Sequence, residues 1–458
     1  MAGELSRNGA ILQSRLTAAD TLSGGDLPGV SGIACFDIST EKNFPHYLRT
    51  EWVKATAEND FIIKSKVSRL KPGVRYYYRL VYGQTEESAV NGDVRTFRTW
   101  PDSTVTEPVS FVVVTGMNYH FFHHGRYNKP ETAYSGADKN LGYPALETIA
   151  MMRPDFFVGT GDNVYYDHPV DTRAKTVEAM RKKWHMQFLQ PRFAQLFTTV
   201  PSYWQKDDHD YRYNDSDPSD IKDDPKPEGT AFPTHEEGLA IFREQMPVTD
   251  PADPDAVTYR TVRVNRDLQL WFVEGRDYRS PNSMTNGPDK TLWGAEQLAW
   301  LKETLLASDA AFKLLISPTP LVGPDDAYKI DNHVNHNGFK YEGDRFFDWL
   351  ADNGFKDNNF YILCGDRHWQ YHSIHPSGFE EFSCGALVDA NARLGRIPGD
   401  QDSTDPNAQL IQPYTQTESS GGFLRVNLKP DDSNKTSLEF AFYDEKGTQL
   451  YITTKTAK

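Results

Sequence analysis

Three short segments hold the residues of this sequence whose types and spacing could do chemistry. Gly161-Asp162-Asn163-Val164-Tyr165 follows the apolar run Phe156-Phe157-Val158. Its glycine frees backbone space beside a carboxylate, and a tyrosine three residues on can turn back toward the same ion. Asp207-Asp208-His209-Asp210 follows Tyr203-Trp204 and sets a hard oxygen ligand, Asp208, beside a potential proton donor, His209. Gly365-Asp366-Arg367-His368 follows a buried-type run at 360–363. There Asp366 and His368 alternate along the departing chain, as two ligands to one site require. The first two segments each have a plainer reading when taken alone, a strand-capping Asp in a β-to-α turn and a local Asp–His hydrogen bond. Together the three describe a cation-binding centre in which Asp162 could bridge two metals.

Such residues are useful only if the fold brings them together, and their positions say how. Apolar strands are expected at 109–114, 155–158, 268–273, 312–316 and 360–363, alternating with amphipathic helices at 143–152, 176–188, 295–307 and 344–351. That rhythm argues an α/β domain, and ligands in open α/β sheets sit at the C-terminal strand edges where these segments lie. Residues 1 to about 105 read differently, as short alternating strands at 11–16, 33–36, 60–67, 74–82 and 94–99 punctuated by Gly and Pro. A β-sandwich of immunoglobulin or fibronectin type is expected there, with Leu70-Lys71-Pro72-Gly73-Val74-Arg75-Tyr76-Tyr77-Tyr78-Arg79 as its turn and tyrosine-rich strand. The division is 1–105 for this domain and 106–458 for the α/β domain, with Trp100-Pro101-Asp102 opening the linker. Strands at 422–428 and 437–443 are expected to complete a second sheet.

Composition narrows the function further. The chain has 458 residues with 49 basic and 64 acidic side chains, a formal charge of −15, so bulk binding to a phosphate backbone is not expected. Cys35, Cys364 and Cys384 allow neither a disulfide scaffold nor a Cys-x-x-Cys zinc site. No run approaches the ~20 apolar residues of a membrane helix. Met1-Ala2-Gly3-Glu4 lacks the pattern of a signal peptide. Asp215-Ser216-Asp217 with Ser219 fails as an EF-hand, because Asp220 stands where the turn needs Gly and Lys226 where a bidentate Glu belongs; a solvated acidic loop is expected instead. No Gly-x-Ser-x-Gly elbow occurs. Nothing in the sequence sets the oligomeric state.

The order and spacing of the three segments resemble the metallophosphoesterase arrangement, and the whole chain resembles the PhoD-like alkaline phosphatases. Trp204 with Asp207-Asp208-His209-Asp210, Arg276-Asp277-Tyr278-Arg279, Gly294-Ala295-Glu296-Gln297 with Trp300-Leu301, and Gly365-Asp366-Arg367-His368 carry that resemblance beside Gly161-Asp162 and Tyr165. It implies a sandwich of two mixed sheets flanked by helices, metal-dependent hydrolysis of small phosphate esters (phosphomonoesters, phosphodiesters or both), and a secreted or periplasmic setting. The Gly-Asp-x-x-Tyr pattern, shared with purple acid phosphatases, implies Tyr165 as a metal ligand. One departure stands out. Where the family's first strand runs into Ser-Cys, this chain has Gly116-Met117-Asn118. A neutral thioether is a poor ligand for a hard cation, so either Asn118 takes over or the site changes character.

On this resemblance Asp162 bridges two ions, Tyr165 and His368 complete one site, Asp208 and Asp366 the other, and His209 is free to protonate the leaving group or stabilise the transition state. Calcium is expected at the oxygen-rich positions, with iron or another transition metal possible beside Tyr165. His333 lies where metallophosphoesterases place an isolated ligand. His120, His123, His124 and His336 are expected in polar loops, His372 and His375 on a strand. Arg276 or Arg279 could hold the phosphate, or an arginine could pair with Asp277 or Glu274. A diesterase for lipid or teichoic-acid-like polymers and a degenerate binding protein are the alternatives.

Overall fold

The computed structural model describes residues 1–126, 129–219, 233–431 and 435–457. Among these residues the strands form three sheets. Asp220 and Lys226, on which the EF-hand comparison turned, lie outside them.

The first sheet is mixed and nine-stranded. Its centre is parallel: Val109–Val114 pairs with Phe156–Thr160, and that strand with Ser202–Gln205. The second sheet has seven strands, with Leu268–Phe272, Phe312–Ser317, Phe360–Cys364 and Glu380–Cys384 running parallel to one another in that order. Strand residues alternate between two buried faces, which explains the near-continuous apolar runs. Phe111, Val113, Phe156 and Val158 of the first sheet share one core with Leu270, Phe272, Leu314, Ile316 and Leu363 of the second. The outward residues Val112, Val114 and Phe157 pack with Leu146, Ile149 and Trp184 of the helices Pro144–Met152 and Val177–Phe188. Trp271, Leu315 and Ile362 pack with Leu301, Leu305, Phe346 and Leu350 of Ala295–Leu306 and Lys340–Asp352. The result is the expected sandwich of two mixed sheets with helices outside.

Two placements differ from the sequence reading. The C-terminal hairpin Gly422–Pro430 and Thr436–Asp444 does not complete the second sheet; it joins the first, antiparallel to Val109–Val114, and Gln449–Thr456 adds a further strand. A hairpin satisfies its own internal ladder anywhere, so its docking edge has no local signature. At the other end, the N-terminal segment is mostly strands, but they are divided. Gly32–Ser39, Arg75–Gly83 and their short neighbours form a separate sheet, whereas Ala2–Gly3, Ala10–Arg15 and Ile62–Val67 extend the nine-stranded sheet beyond Ser202–Gln205. Sheet pairing therefore crosses the 105/106 division. No described helix is long and apolar enough to cross a membrane.

Candidate metal centre

The three chemical segments leave the C-terminal ends of parallel strands in both sheets, and their backbones make the meeting possible. Gly161 has φ +103, and a Cβ there would stand 2.5 Å from the Cβ of Asp207, so only glycine lets the two loops approach. A Cβ on Gly365 would stand 2.4 Å from Thr160 Oγ1, the equivalent closeness between the sheets. Asp162 and Asp366 themselves adopt positive φ, +54 and +59, a region that Asp tolerates better than most residues. Asp210 fastens the first two loops. Its buried carboxylate accepts from the backbone N–H groups of Asp207 at 2.7 Å, Asn163 at 3.1 Å and Asp162 at 3.3 Å, and from Asn163 Nδ2 at 2.5 Å.

The carboxylates then crowd. One oxygen or nitrogen from each of Asp162, Asp208 and His209 lies within 4.8 Å of the others, and the same holds for Asp207, Asp208 and Asp366, and for Asp208, Asp215 and Asp331. Asp208 is common to all three groups. At one edge Tyr165 Oη donates to Asp162 Oδ2 at 2.8 Å, His368 Nε2 lies 2.9 Å from the same oxygen, and Asn391 Nδ2 donates to Tyr165 Oη at 2.8 Å. At the other, Arg276 donates through Nε and Nη2 to Asp207 Oδ1 at 2.8 and 2.5 Å, and through Nη2 to Asp331 Oδ2 at 3.2 Å. Lys329 pairs with Asp215, and Arg367 with Asp366 and Asp325.

These cations do not satisfy the cluster. Asp162 Oδ1, Asp207 Oδ2 and Asp331 Oδ1 are buried without a hydrogen-bond partner. A buried carboxylate oxygen left so is expensive unless a cation meets it, so the donor set fits hard metal ions. Burial, against the pull of His209 and with the repulsion of Asp208, pushes Asp162 well above the usual carboxylate range. Asp207 is raised by burial too, with Arg276 opposing and Asp208 adding. For Asp208 burial is outweighed by His209, Arg276 and Lys329, which hold it well below that range. Burial would strip His209 of its proton, but Asp167, Asp208 and Asp162 keep it on and raise the imidazole well above its ordinary value. Asp167 fixes that ring, 2.8 Å from Nδ1. Tyr165 is a neutral phenol here, raised by burial and by Asp162.

Of the residues expected from sequence, Asp162, Tyr165, Asp208, His209, Asp366 and His368 come together. Asn118 lies beside them but works as a helix cap, its Oδ1 accepting from Phe121 N–H at 3.0 Å and its Nδ2 2.8 Å from His168 Nδ1. Met117 points into the apolar core with Phe122 and Tyr143. His333 is not brought into the carboxylate cluster: Nε2 is 2.9 Å from Glu342, and the ring packs on Trp293. Arg276 pairs with neither Asp277 nor Glu274 through its side chain. Asp277 and Glu274 hold Lys206 instead, and Arg276 serves Asp207 and Asp331. Arg279 donates to the carbonyls of Gly275 and Asp331 and to Asn282. Both guanidiniums hold loops through all three of their nitrogens, and each keeps a terminal N–H beyond those bonds. His120, His123 and His124 are on the short helix Tyr119–His124 rather than in a loop. Asp215 is half-buried against Lys329 and lines the cluster, where a solvated loop was expected.

Sequence reasoning missed Asp207, Asp331, Asn391 and Asp210 as members of the site. Asp207 and Asp210 stand inside a segment already singled out, so the density of its carboxylates was the available signal. Asp331 and Asn391 had none, because they reach the site from loops after other strands.

A family model described as PhoD-like phosphatase matches residues 111–433, and one described as PhoD-like phosphatase, N-terminal domain, matches residues 1–99. Alkaline phosphatase D of Bacillus subtilis (strain 168) is 22% identical over 487 residues, covering 98% of this chain and 78% of that protein. The solved structure of PhoD superposes with a TM-score of 0.73 at 17% identity, covering 99% of this chain and 88% of the other. Purple acid phosphatase PPD1 from yellow lupin (Lupinus luteus) seeds gives 0.60 at 11% identity, with 99% and 73% covered, and thus shares the fold.

Proposed function

The chain belongs to the PhoD-like phosphatase family, and from that premise we propose that it hydrolyses small phosphate esters at the Asp162–Asp208–Asp366 cluster. The observation that carries this reading is the set of buried, unpartnered oxygens on Asp162, Asp207 and Asp331 around the shared Asp208. Asp162, Tyr165 and His368 would hold one metal, and Asp207, Asp208 and Asp366 another. When bound there, metal ions activate a water and offset the charge on phosphorus. Everything else is work for the chain's own residues. Asp210 keeps the two aspartate loops in register. Asp167 orients His209 and helps keep it protonated, so His209 can deliver a proton to the departing alkoxide. Arg276 and Lys329 temper the repulsion among Asp207, Asp215 and Asp331 rather than clamping the substrate.

The donors favour different metals at the two positions. The oxygen-only positions suit calcium. The position with phenol and imidazole suits a transition metal, but Met117 supplies no thiolate to strengthen a ferric ion. A purple or brown preparation whose visible band disappears in Tyr165→Phe supports iron; a colourless enzyme that works on added calcium alone excludes ferric tyrosinate. The function itself is tested with p-nitrophenyl phosphate and bis-p-nitrophenyl phosphate on metal-loaded protein. Release of p-nitrophenol from either, abolished by chelator, supports the proposal; release from neither removes it.

A further inference from the structure

Beside the carboxylate cluster lies a cavity of about 500 Å³ whose wall includes Tyr165 and His168. Its charge is opposite to that of its neighbour. Lys182 and Lys183, consecutive on the Val177–Phe188 helix, line it together with the rings of His120 and His124, and its described lining contains no Asp or Glu. In a chain of net charge −15, two ammonium groups at a carboxylate-free wall next to the candidate centre are a local reversal of the protein's field. Lys183 donates to the carbonyl of His168, which anchors it beside Tyr165. Lys182 reaches the N-terminal segment, since a Cβ on Gly25 would stand 3.1 Å from its Nζ. The carboxylates nearest in effect to Lys183 are Asp167 and Asp171, and neither is on the wall; Asp167 is already engaged by His209. Val164, Ala174, Ala179 and Met186 supply apolar surface between the charged groups.

We propose, resting on the phosphatase reading above, that this cavity receives the alcohol part of the ester and selects alcohols bearing a second anionic group, recognised by Lys182 and Lys183. The volume is that of a small-ligand site. In the reaction water adds to phosphorus, the bond from phosphorus to the alcohol oxygen breaks, and a proton passes to that oxygen. The products are inorganic phosphate and an anionic alcohol. The lysines take no part in bond exchange and act on binding.

The test uses the full metal-loaded chain with phenyl phosphate, 4-carboxyphenyl phosphate and benzene-1,4-diyl bisphosphate. The quantity read is kcat/KM for each anionic substrate divided by that for phenyl phosphate, compared between wild type and Lys182→Gln/Lys183→Gln, so differences in leaving-group acidity cancel. The expected result is a fall in the ratio of about tenfold in the double variant, mainly through KM, as two partly solvated ion pairs would give. Lys182→Gln alone, which keeps the Lys183 anchor, should show an intermediate fall. Which anionic substrate loses more tells carboxylate from phosphate recognition. Unchanged ratios in both variants overturn the proposal and leave the phosphatase reading standing, whereas no hydrolysis of any of the three esters by wild type overturns the proposal, and removes the phosphatase reading as well only if bis-p-nitrophenyl phosphate is also left intact.

Discussion

Two buried acidic nodes of this protein invite comparison. At the junction between the N-terminal segment and the helices, Asp60 accepts from Arg15 Nη2 at 2.9 Å on one oxygen, and on the other from Gln245 Nε2 at 2.8 Å, with His185 Nε2 at 2.6 Å. Burial raises that carboxyl, but His185, Gln245 and Arg15 outweigh it and hold it below the usual range. In the candidate centre the same residue type is crowded, three oxygens lack partners, and burial holds Asp162 and Asp207 above that range. A buried carboxylate compensated by protein donors fastens elements together. One compensated only in part reserves its oxygens for something the chain does not contain.

The largest effect is expected at the candidate centre. Chelation should abolish phosphate-ester turnover and leave the circular-dichroism spectrum intact, with activity restored by added metal; activity that survives exhaustive chelation contradicts the reading. Next in size, His209→Ala should keep the metals and lose ~10²–10⁴ in turnover, the range for removing a general acid. Loss of metal in that variant reassigns His209 as a ligand.

Stability sharpens the contrast, because the two nodes should respond with opposite sign. Asp60→Asn leaves Arg15 without its carboxylate and His185 with Asp26 alone, and should cost about 2–4 kcal/mol in denaturant unfolding. In metal-free protein Asp162→Asn removes a repelled carboxylate and should instead gain about 1 kcal/mol. The smallest effect is on pH dependence. Because the folded carboxyl of Asp60 lies below its unfolded value of ~3.9, its contribution is complete above that value and is lost as pH falls through the folded one. Asp60→Asn should therefore flatten the acid limb of the stability profile below pH ~4; an unchanged limb removes Asp60 as its source.

Legibility in the sequence followed the range of the interaction. Strands such as Val109–Val114 and Phe360–Cys364 and the helix Val177–Phe188 were readable because period, caps and glycines are local. The helix His235–Gln245 was missed although Thr234 and Glu237 form a capping box in plain sight. Asp162, Asp208 and Asp366 were readable from their places at strand ends. Asp331 was not, since what makes it part of the site is Arg276, 55 residues away in the chain. The edge chosen by the Gly422–Pro430 hairpin, and the passage of N-terminal strands into the catalytic sheet, depend on tertiary pairing that no local pattern encodes.

On the proposed reading, the carboxylates around Asp208 hold the metals that this phosphatase needs for hydrolysis. Elemental analysis of wild type and Asp208→Asn, purified alike and assayed together on p-nitrophenyl phosphate, tests it most directly. The expected result is two or more metal ions per wild-type chain, with metal content and hydrolysis falling together in a folded variant. Full metal content and undiminished hydrolysis in Asp208→Asn would contradict it.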